Sequence, residues 1–224
     1  MSWTDGYGGC TGTVIAEDAI ITAAHCVYDI VDKESARGGV VIPAVANNSF
    51  QYGSYIIEDY YYPAGYRNFN NAENQPAINY DYAILVVDTY EGHEIGDVVG
   101  TLPIKQVGQT IKGTSIKVYG YPGDKVESTG VYDQWGMSGS ITDEVVEIAY
   151  YTLDTARGQS GAAILNASNQ IIGVHSSGWF DGTGKYIYNG GGKMSSHQPT
   201  SCLMITLTFW GHLALFNQDR SSFL

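Results

Sequence analysis

Gly158-Gln159-Ser160-Gly161 leads directly into the apolar stretch Ala162-Ala163-Ile164-Leu165. A serine between glycines can be presented on a sharp turn, and the apolar stretch after it is typical of a buried strand. Upstream, Ala23-Ala24-His25-Cys26 contains a histidine, and Tyr80-Asp81-Tyr82-Ala83-Ile84-Leu85 places an aspartate just before a second apolar run. Serine, histidine and aspartate, each beside its own apolar segment, are the residue types of a hydrolytic triad.

These three residues predict a nucleophilic site. A serine hydroxyl is a poor nucleophile until a neighbouring base takes its proton. We therefore expect Ser160 to attack a carbonyl, His25 to take and return the proton, and Asp81 to hold the imidazole in the required tautomer. Attack creates an oxyanion, for which the backbone N–H groups of Gly158 and Ser160 are the candidate donors.

Short segments rich in β-branched and aromatic residues predict an all-β fold. They include Thr11–Ala16, Ala19–Ala23, Ser54–Tyr62, Ala83–Val87, Ser115–Tyr119, Val145–Thr152 and Ile171–His175. Many short strands separated by turn signals are typical of barrels or sandwiches. We place a switch between two halves at Val107–Gly113, so that 1–106 carries the histidine and aspartate and 107–224 carries the serine.

The composition argues against several classes of partner. The 224 residues include 23 acidic and 11 basic side chains, which gives a formal net charge of −12. So negative a surface disfavours binding to nucleic acid or to anionic membranes. The apolar segment Cys202–Phe216 is interrupted by polar residues and is shorter than the roughly 20 apolar residues of a membrane span. Whether this segment forms a terminal strand, a packed helix or both stays open.

The three cysteines bear on the cellular compartment. Cys10 and Cys26 flank the histidine segment, where a disulfide would fix the loop, and Cys202 is left over. The alternative is three unlinked, buried thiols. A disulfide and an acidic, lysine-poor composition favour a secreted, extracellular protein. Met1–Gly6 has neither a basic start nor an apolar run, so either the export signal is missing from this chain or export follows another route.

Two segments around the candidate base resemble the first catalytic segment of the chymotrypsin-like serine proteases. They are Cys10-Thr11-Gly12-Thr13-Val14-Ile15-Ala16 and Thr22-Ala23-Ala24-His25-Cys26-Val27-Tyr28. The chain order histidine, aspartate, serine is also that of this family. Three further motifs narrow the resemblance to the bacterial glutamyl endopeptidases: Tyr119-Gly120-Tyr121-Pro122-Gly123-Asp124-Lys125, Gln134-Trp135 and Asp154-Thr155. The resemblance runs from about Cys10 to about Asn189.

The resemblance implies a fold, an activity and a set of partners. The fold is two six-stranded antiparallel β-barrels, and the activity is hydrolysis of peptide bonds after glutamate, with aspartate slower, through an acyl-enzyme. Substrates would be proteins or peptides with acidic residues, and we expect a monomer without a cofactor. Binding of a structural calcium ion to the acidic surface stays open, and no site is assigned to it. His25, His175, His197 and His212 lack short metal-ligand spacings, so we predict no metal centre.

The resemblance also implies a pocket for the glutamate side chain. Its contributors are a threonine five residues before the serine and a histidine fifteen after it, which are Thr155 and His175 here. A hydroxyl and an imidazole can donate to a carboxylate, whereas Asp154 would repel one. The alternative for His175 is an ordinary histidine at a strand end. A pocket histidine that must be protonated predicts a bell-shaped pH profile, and a neutral donor predicts a plain sigmoid.

Two departures from that family lead to a second hypothesis. Only nine residues precede Cys10, so we expect the first barrel to lack its N-terminal strand. Lys193–Leu224 does not match the family's terminal strand and helix, so a C-terminal helix stays open. The alternative to an active enzyme is therefore a catalytically impaired or non-catalytic binding module that keeps the protease fold.

Overall fold

The computed structural model describes residues 2–3, 9–71, 75–108, 110–183 and 186–195. The predictions for Cys202, for His197 and His212, and for a strand or helix in Cys202–Phe216 lie outside these residues. Within the part of the chain that the structure describes, no helix is long and apolar enough to cross a bilayer.

Short strands carry the fold, as predicted. They are β1 (Ser2–Trp3), β2 (Thr13–Val14), β3 (Ala19–Thr22), β4 (Tyr28–Asp29), β5 (Glu34–Ser35), β6 (Gly39–Val41), β7 (Tyr55–Tyr61), β8 (Ala83–Val87), β9 (Ser115–Gly120), β10 (Trp135–Ser140), β11 (Asp143–Val145), β12 (Ile148–Tyr151), β13 (Ala163–Asn166), β14 (Ile171–Phe180) and β15 (Tyr186–Lys193). The helices are short: α1 (Gln75–Ile78), α2 (Ile95–Val99), α3 (Gly123–Thr129) and two 3₁₀ turns at Ala24–Cys26 and Ala64–Asn68. The predicted all-β class is confirmed.

The first sheet has the strand order β1-β6-β7-β8-β3-β2, and β4 and β5 form a separate hairpin. The strands β3 and β8 lie inside the sheet and are almost wholly buried, which accounts for their continuous apolar composition. Ser2 and Trp3 pair with Val40 and Gly39. A strand therefore occupies an edge of this sheet, where the sequence led us to expect a missing one.

The second sheet has the order β10-β9-β13-β14-β15-β12-β11, and all its strand pairs are antiparallel. It therefore holds seven strands rather than six. The predicted strand Val145–Thr152 contains β12 and only the last residue of β11, the strand with which β12 forms a hairpin. β11 ends at Val145, a turn follows, and β12 begins at Ile148.

One buried cluster joins the two sheets and fixes the strands that flank the candidate site. It combines Ile21 and Ile84 from β3 and β8 with Leu165 and Val174 from β13 and β14. The predicted boundary at residues 106 and 107 falls between β8 and β9 and stays a prediction. Ile104, before the boundary, bridges to Ile171 of β14, and Val107, after it, bridges to Ser195, which lies two residues beyond β15.

Candidate active site

His25 lies on a 3₁₀ turn that begins two residues after β3 ends. A disulfide between Cys10 and Cys26 closes this turn, which confirms the predicted pairing. The two half-cystines flank the segment that contains β2, β3 and His25. The imidazole is therefore attached to a cross-linked loop, and it keeps 26% of its side chain exposed.

Asp81 lies just before β8 and is buried beneath the His25 ring. Its Oδ2 is 2.7 Å from His25 Nδ1, and its Oδ1 accepts a hydrogen bond of 2.8 Å from the His25 backbone N–H. The Ser176 hydroxyl donates to the same Oδ2. The two carboxylate oxygens thus fix both the main chain and the ring of the histidine.

The electrostatics of this pair follow from its burial and contact. Burial alone would lower the pKa of His25, but the charge and hydrogen bond of Asp81 outweigh it and place the pKa above the ordinary 6.5. Burial would likewise raise the pKa of Asp81, yet the charge and hydrogen bonds of His25 and the Ser176 hydroxyl hold it below its ordinary value. Asp81 therefore stays ionised at neutral pH and can stabilise an imidazolium.

Ser160 occupies a turn ahead of β13, beside the disulfide. Its carbonyl accepts a hydrogen bond of 2.8 Å from Thr11 N–H and lies 3.8 Å from Cys26 Sγ. These contacts bring the Ser160 backbone next to the residue that follows His25. Among the hydrogen bonds of the described residues, none joins the Ser160 hydroxyl to the His25 ring. Catalytic hydrogen bonds are often long before substrate binds.

Two glycines shape the turn around the serine. Gly158 has a φ of +96°, and a Cβ at this position would lie 2.4 Å from the Tyr121 carbonyl oxygen. Gly161 has a φ of +85°, and its Cβ would lie 2.1 Å from Thr22 Oγ1. Any larger residue would strain the backbone and displace these neighbours. The turn therefore requires glycine at both positions, for conformation and for space.

The backbone of this turn leaves two donors available. Within the described part of the chain, the N–H groups of Gly158 and Ser160 have no hydrogen-bond partner, whereas Gln159 N–H donates to the Ala156 carbonyl. Unpaired backbone N–H groups on a rigid turn are suited to a developing oxyanion.

Sequence reasoning missed three residues that hold this arrangement. The Thr11 hydroxyl donates to the Gly158 carbonyl at 2.7 Å and accepts from Tyr121 N–H at 3.2 Å. The Gln159 side-chain oxygen accepts from Ala156 N–H at 2.9 Å. Ser176 donates to Asp81, 95 positions away. The only sequence signal was that Thr11 and Gln159 lie inside quoted motifs, which do not indicate what these side chains contact.

His175 lies in β14, and its backbone is tied to the serine turn on both sides. Its N–H donates to the Ala162 carbonyl and its carbonyl accepts from Gly161 N–H, both at 2.8 Å. The side chain is buried, and Nδ1 is 2.7 Å from the Tyr151 hydroxyl. Burial, with a smaller contribution from the charge of His25, lowers the pKa of His175 to about 4. The ring is therefore neutral at physiological pH.

Thr155 lies half-buried on the loop between β12 and the serine turn. The Asn189 side chain of β15 donates to the Leu153 carbonyl at 2.6 Å and fixes this loop two residues before Thr155. In the described residues the Thr155 hydroxyl makes no hydrogen bond, so it can donate to a ligand. The roles predicted for Thr155 and His175 stay predictions.

One cluster of potential metal ligands cannot act as a metal site. The ligand atoms of Cys10, His25 and Cys26 lie within 4.8 Å of one another. Both sulfurs are joined in the disulfide, so neither can become the thiolate that binds a metal.

Comparisons with known proteins extend these observations. The profile of the Trypsin family matches residues 1–191. A glutamyl endopeptidase of Bacillus licheniformis is 31% identical over 196 residues, covering 84% of this chain and 56% of that protein. A glutamyl endopeptidase of Staphylococcus epidermidis is 32% identical over 176 residues, covering 77% of this chain and 55% of that protein. The chain spans about half the length of the curated relatives it matches.

Solved structures give the same picture at the level of the fold. A Glu endopeptidase in complex with MPD is 37% identical with a TM-score of 0.77, covering 94% of this chain and 87% of that chain. The protease Anisep from Arthrobacter nicotinovorans is 20% identical with a TM-score of 0.70, covering 89% of this chain and 87% of that chain. The second likeness supports the fold alone.

Proposed function

This chain belongs to the trypsin family, and from that premise we propose that it is a serine endopeptidase that hydrolyses peptide bonds after glutamate, with aspartate slower. The observation that carries the proposal is the buried Asp81–His25 pair, with its 2.7 Å hydrogen bond, beside a serine turn with two unpaired N–H groups. This combination supports the proposal, because it would provide an oriented base, a nucleophile and oxyanion donors.

The proposed reaction has two chemical stages. In the first, Ser160 Oγ bonds to the substrate carbonyl carbon while its proton passes to His25, and the N–H groups of Gly158 and Ser160 bind the oxyanion. The intermediate then expels the amine, which takes the proton from His25 and leaves an acyl-enzyme. In the second stage, water gives a proton to His25 and attacks the acyl carbon. His25 then returns that proton to Ser160 Oγ as the ester bond breaks, which releases the acid and regenerates the serine.

Selectivity for glutamate is the finer part of the proposal. It is supported by the names of the two relatives and by two donors near the serine turn, the Thr155 hydroxyl and the His175 ring. Since the pKa of His175 is lowered to about 4, the ring would bind the glutamate carboxylate as a neutral donor. We therefore expect the activity to follow a plain sigmoid with pH rather than a bell-shaped profile.

Matched peptides that differ only in the residue before the scissile bond test the selectivity. We expect the highest kcat/KM for glutamate, a lower value for aspartate, and little cleavage after glutamine, lysine or phenylalanine. A preference for lysine or phenylalanine would overturn the glutamate assignment while leaving a serine endopeptidase.

The alternative is a protease fold that binds peptides without cleaving them. A serine-reactive phosphonate separates the two possibilities, because it labels only a serine whose base and oxyanion donors work. We expect stoichiometric labelling of the wild-type chain, none of Ser160→Ala, and full labelling of the control Ser168→Ala, which changes an exposed serine in the turn after β13. Absence of labelling in the wild-type chain would favour the binding module.

The proposal also covers the cellular compartment and the binding partners of the protein. A disulfide at the candidate base is stable in an oxidising compartment, which supports an extracellular location. The proposed partners are protein or peptide substrates with acidic residues. No nucleic acid or membrane partner is proposed, in line with the net charge of −12. We propose a monomer without a cofactor, and calcium has no assigned site.

A further inference from the structure

Tyr151 ends β12 and points its hydroxyl at His175, although the two residues belong to strands that do not pair. In the sheet order, β15 lies between β12 and β14. Where the contact crosses it, β15 carries Gly190-Gly191-Gly192, and Gly191 is the residue directly opposite His175. Tyr151 pairs with Asn189 of the same strand, and across β15 the Tyr151 hydroxyl and His175 Nδ1 meet at 2.7 Å.

Packing alone does not account for a tyrosine at this position. The Tyr151 ring is fully buried in a cluster with Ile116, Val118 and Ile164. A phenylalanine would fill that volume without bringing a polar atom into the core. A buried hydroxyl is costly unless it is hydrogen-bonded, so the position of this oxygen against Nδ1 indicates that the hydrogen bond has a role.

The direction of this hydrogen bond and the tautomer of the His175 ring are coupled. A neutral imidazole has one N–H and one acceptor nitrogen. When the Tyr151 hydroxyl donates to Nδ1, the hydrogen of the ring must be on Nε2.

We propose that Tyr151 is a positioning residue for substrate recognition: its hydroxyl donates to Nδ1 of His175 and so keeps an N–H on Nε2 for the carboxylate of a substrate glutamate. This inference rests on the proposed function. Tyr151 does not touch the substrate. It acts through His175 by excluding the tautomer in which Nε2 would be an acceptor and would repel a carboxylate.

The first test reads the tautomer without any activity measurement. Protein labelled with ¹⁵N-histidine gives distinct ring shifts for protonated and unprotonated nitrogens, and the spectrum of His175→Gln assigns the signals of residue 175. We expect a protonated Nε2 and an unprotonated Nδ1 in the wild-type chain, and a mixture of tautomers in Tyr151→Phe. A protonated Nδ1 in the wild-type chain would overturn the proposal.

The second test reads selectivity. Loss of one buried hydrogen bond at a recognition site typically costs about tenfold in affinity. We therefore expect Tyr151→Phe to lower kcat/KM for a glutamate peptide by about tenfold, mainly through KM, and to change a matched glutamine peptide by less than about twofold. Equal losses for both peptides would mean that Tyr151 only supports the fold, and would overturn the proposal.

Tyr55→Phe is the matched control, because Tyr55 is equally buried but lies in β7 of the other sheet. It should alter neither the tautomer nor the ratio of glutamate to glutamine cleavage. A wild-type chain without a glutamate preference would refute the proposed function. The ring spectrum would then still decide whether Tyr151 sets the proton of His175.

Discussion

His25 and His175 lie near the same serine turn, but the pKa of His25 is raised and the pKa of His175 is lowered. His25 faces the ionised Asp81, whose charge outweighs the effect of burial and raises the pKa of the imidazole. His175 faces a neutral hydroxyl and is buried, so its pKa falls to about 4. One ring is thus a base near neutral pH, and the other is a hydrogen-bond donor that does not titrate there.

This difference predicts the pH dependence of the proposed activity. His25 must be neutral to accept the serine proton, and its pKa is raised, so kcat/KM should rise with pH to a midpoint above 6.5. His175 is already neutral above about pH 4 and should add no second limb between pH 5 and 9. Initial rates with a glutamate peptide across this range measure the profile.

Asp81→Asn is the informative variant for that profile. It removes the charge that raises the pKa of His25, so the midpoint should move to lower pH, while kcat falls by about 10⁴ because the wrong tautomer is favoured. A bell-shaped wild-type profile that persists in Asp81→Asn would instead assign a titrating role to His175.

At the scale of elements, Glu144 and Lys193 connect β11 to β15 across the intervening strand β12. Lys193 Nζ is wholly buried and lies 3.1 Å from Glu144 Oε2. The same carboxylate accepts hydrogen bonds from the N–H groups of Ile111 and Lys112, on the connection that leads into β9. Burial would raise the pKa of Glu144, but these donors and the lysine charge lower it.

We predict that Lys193→Met destabilises the protein, because it leaves a largely buried carboxylate without its cation. Removing one partner of a buried pair costs about 3 kcal/mol, whereas replacing both is close to neutral. The double variant Lys193→Met/Glu144→Gln should therefore recover part of the loss. Urea unfolding of the three proteins measures the free energies, and an unchanged midpoint in the single variant would contradict the assignment.

The pH dependence of stability gives an independent check on this pair. Because the folded pKa of Glu144 is lowered, its contribution is present above the ordinary carboxyl pKa and is lost as pH falls through the lowered value. We expect the wild-type chain to lose more stability than the double variant on acidification from pH 6 to 3. Parallel loss in both proteins would show that other carboxylates dominate.

The elements also show what the sequence can predict. β8 matches its predicted bounds and β7 lies within the predicted segment, because an apolar or alternating pattern marks strands that are buried on one or both faces. β15 extends through Gly190-Gly191-Gly192, which have no strand propensity, because β14 and β12 pair with it on both sides. The strand β10 was missed for a similar reason, since it is exposed and contains two glycines.

At the scale of the whole molecule, the sequence predicts those site residues whose neighbours along the chain form a recognisable pattern. His25, Asp81 and Ser160 each adjoin a strong apolar segment or a glycine turn, so the three contexts together could predict them as candidates. The Thr11–Gly158 and Ser176–Asp81 contacts span 147 and 95 positions and arise only when the two sheets pack together. Similarly, the neutral state of His175 could not be inferred from its neighbours in sequence, because it depends on burial by distant strands.

The disulfide between Cys10 and Cys26 connects the stability of the whole fold to the geometry of the site. Cys10 and Cys26 are 16 positions apart, and cross-linking a loop of this length stabilises a fold by about 3 kcal/mol. Reduction should therefore lower Tm by about 6–12 °C for a chain of this size. Because Thr11 N–H holds the Ser160 carbonyl beside the bridge, phosphonate labelling should slow at temperatures where the reduced protein is still folded.

The experiment compares oxidised and reduced protein in a Cys202→Ser background, so that the third cysteine cannot exchange with the bridge. Calorimetry gives Tm, and the labelling rate at 20 °C reports on the serine turn. Cys10→Ser/Cys26→Ser in the same background should resemble the reduced protein and be insensitive to the reductant. If reduction lowers Tm but leaves the labelling rate unchanged, the bridge stabilises the fold without positioning the base relative to the serine, and the packing of Ile21, Ile84 and Leu165 alone accounts for that alignment.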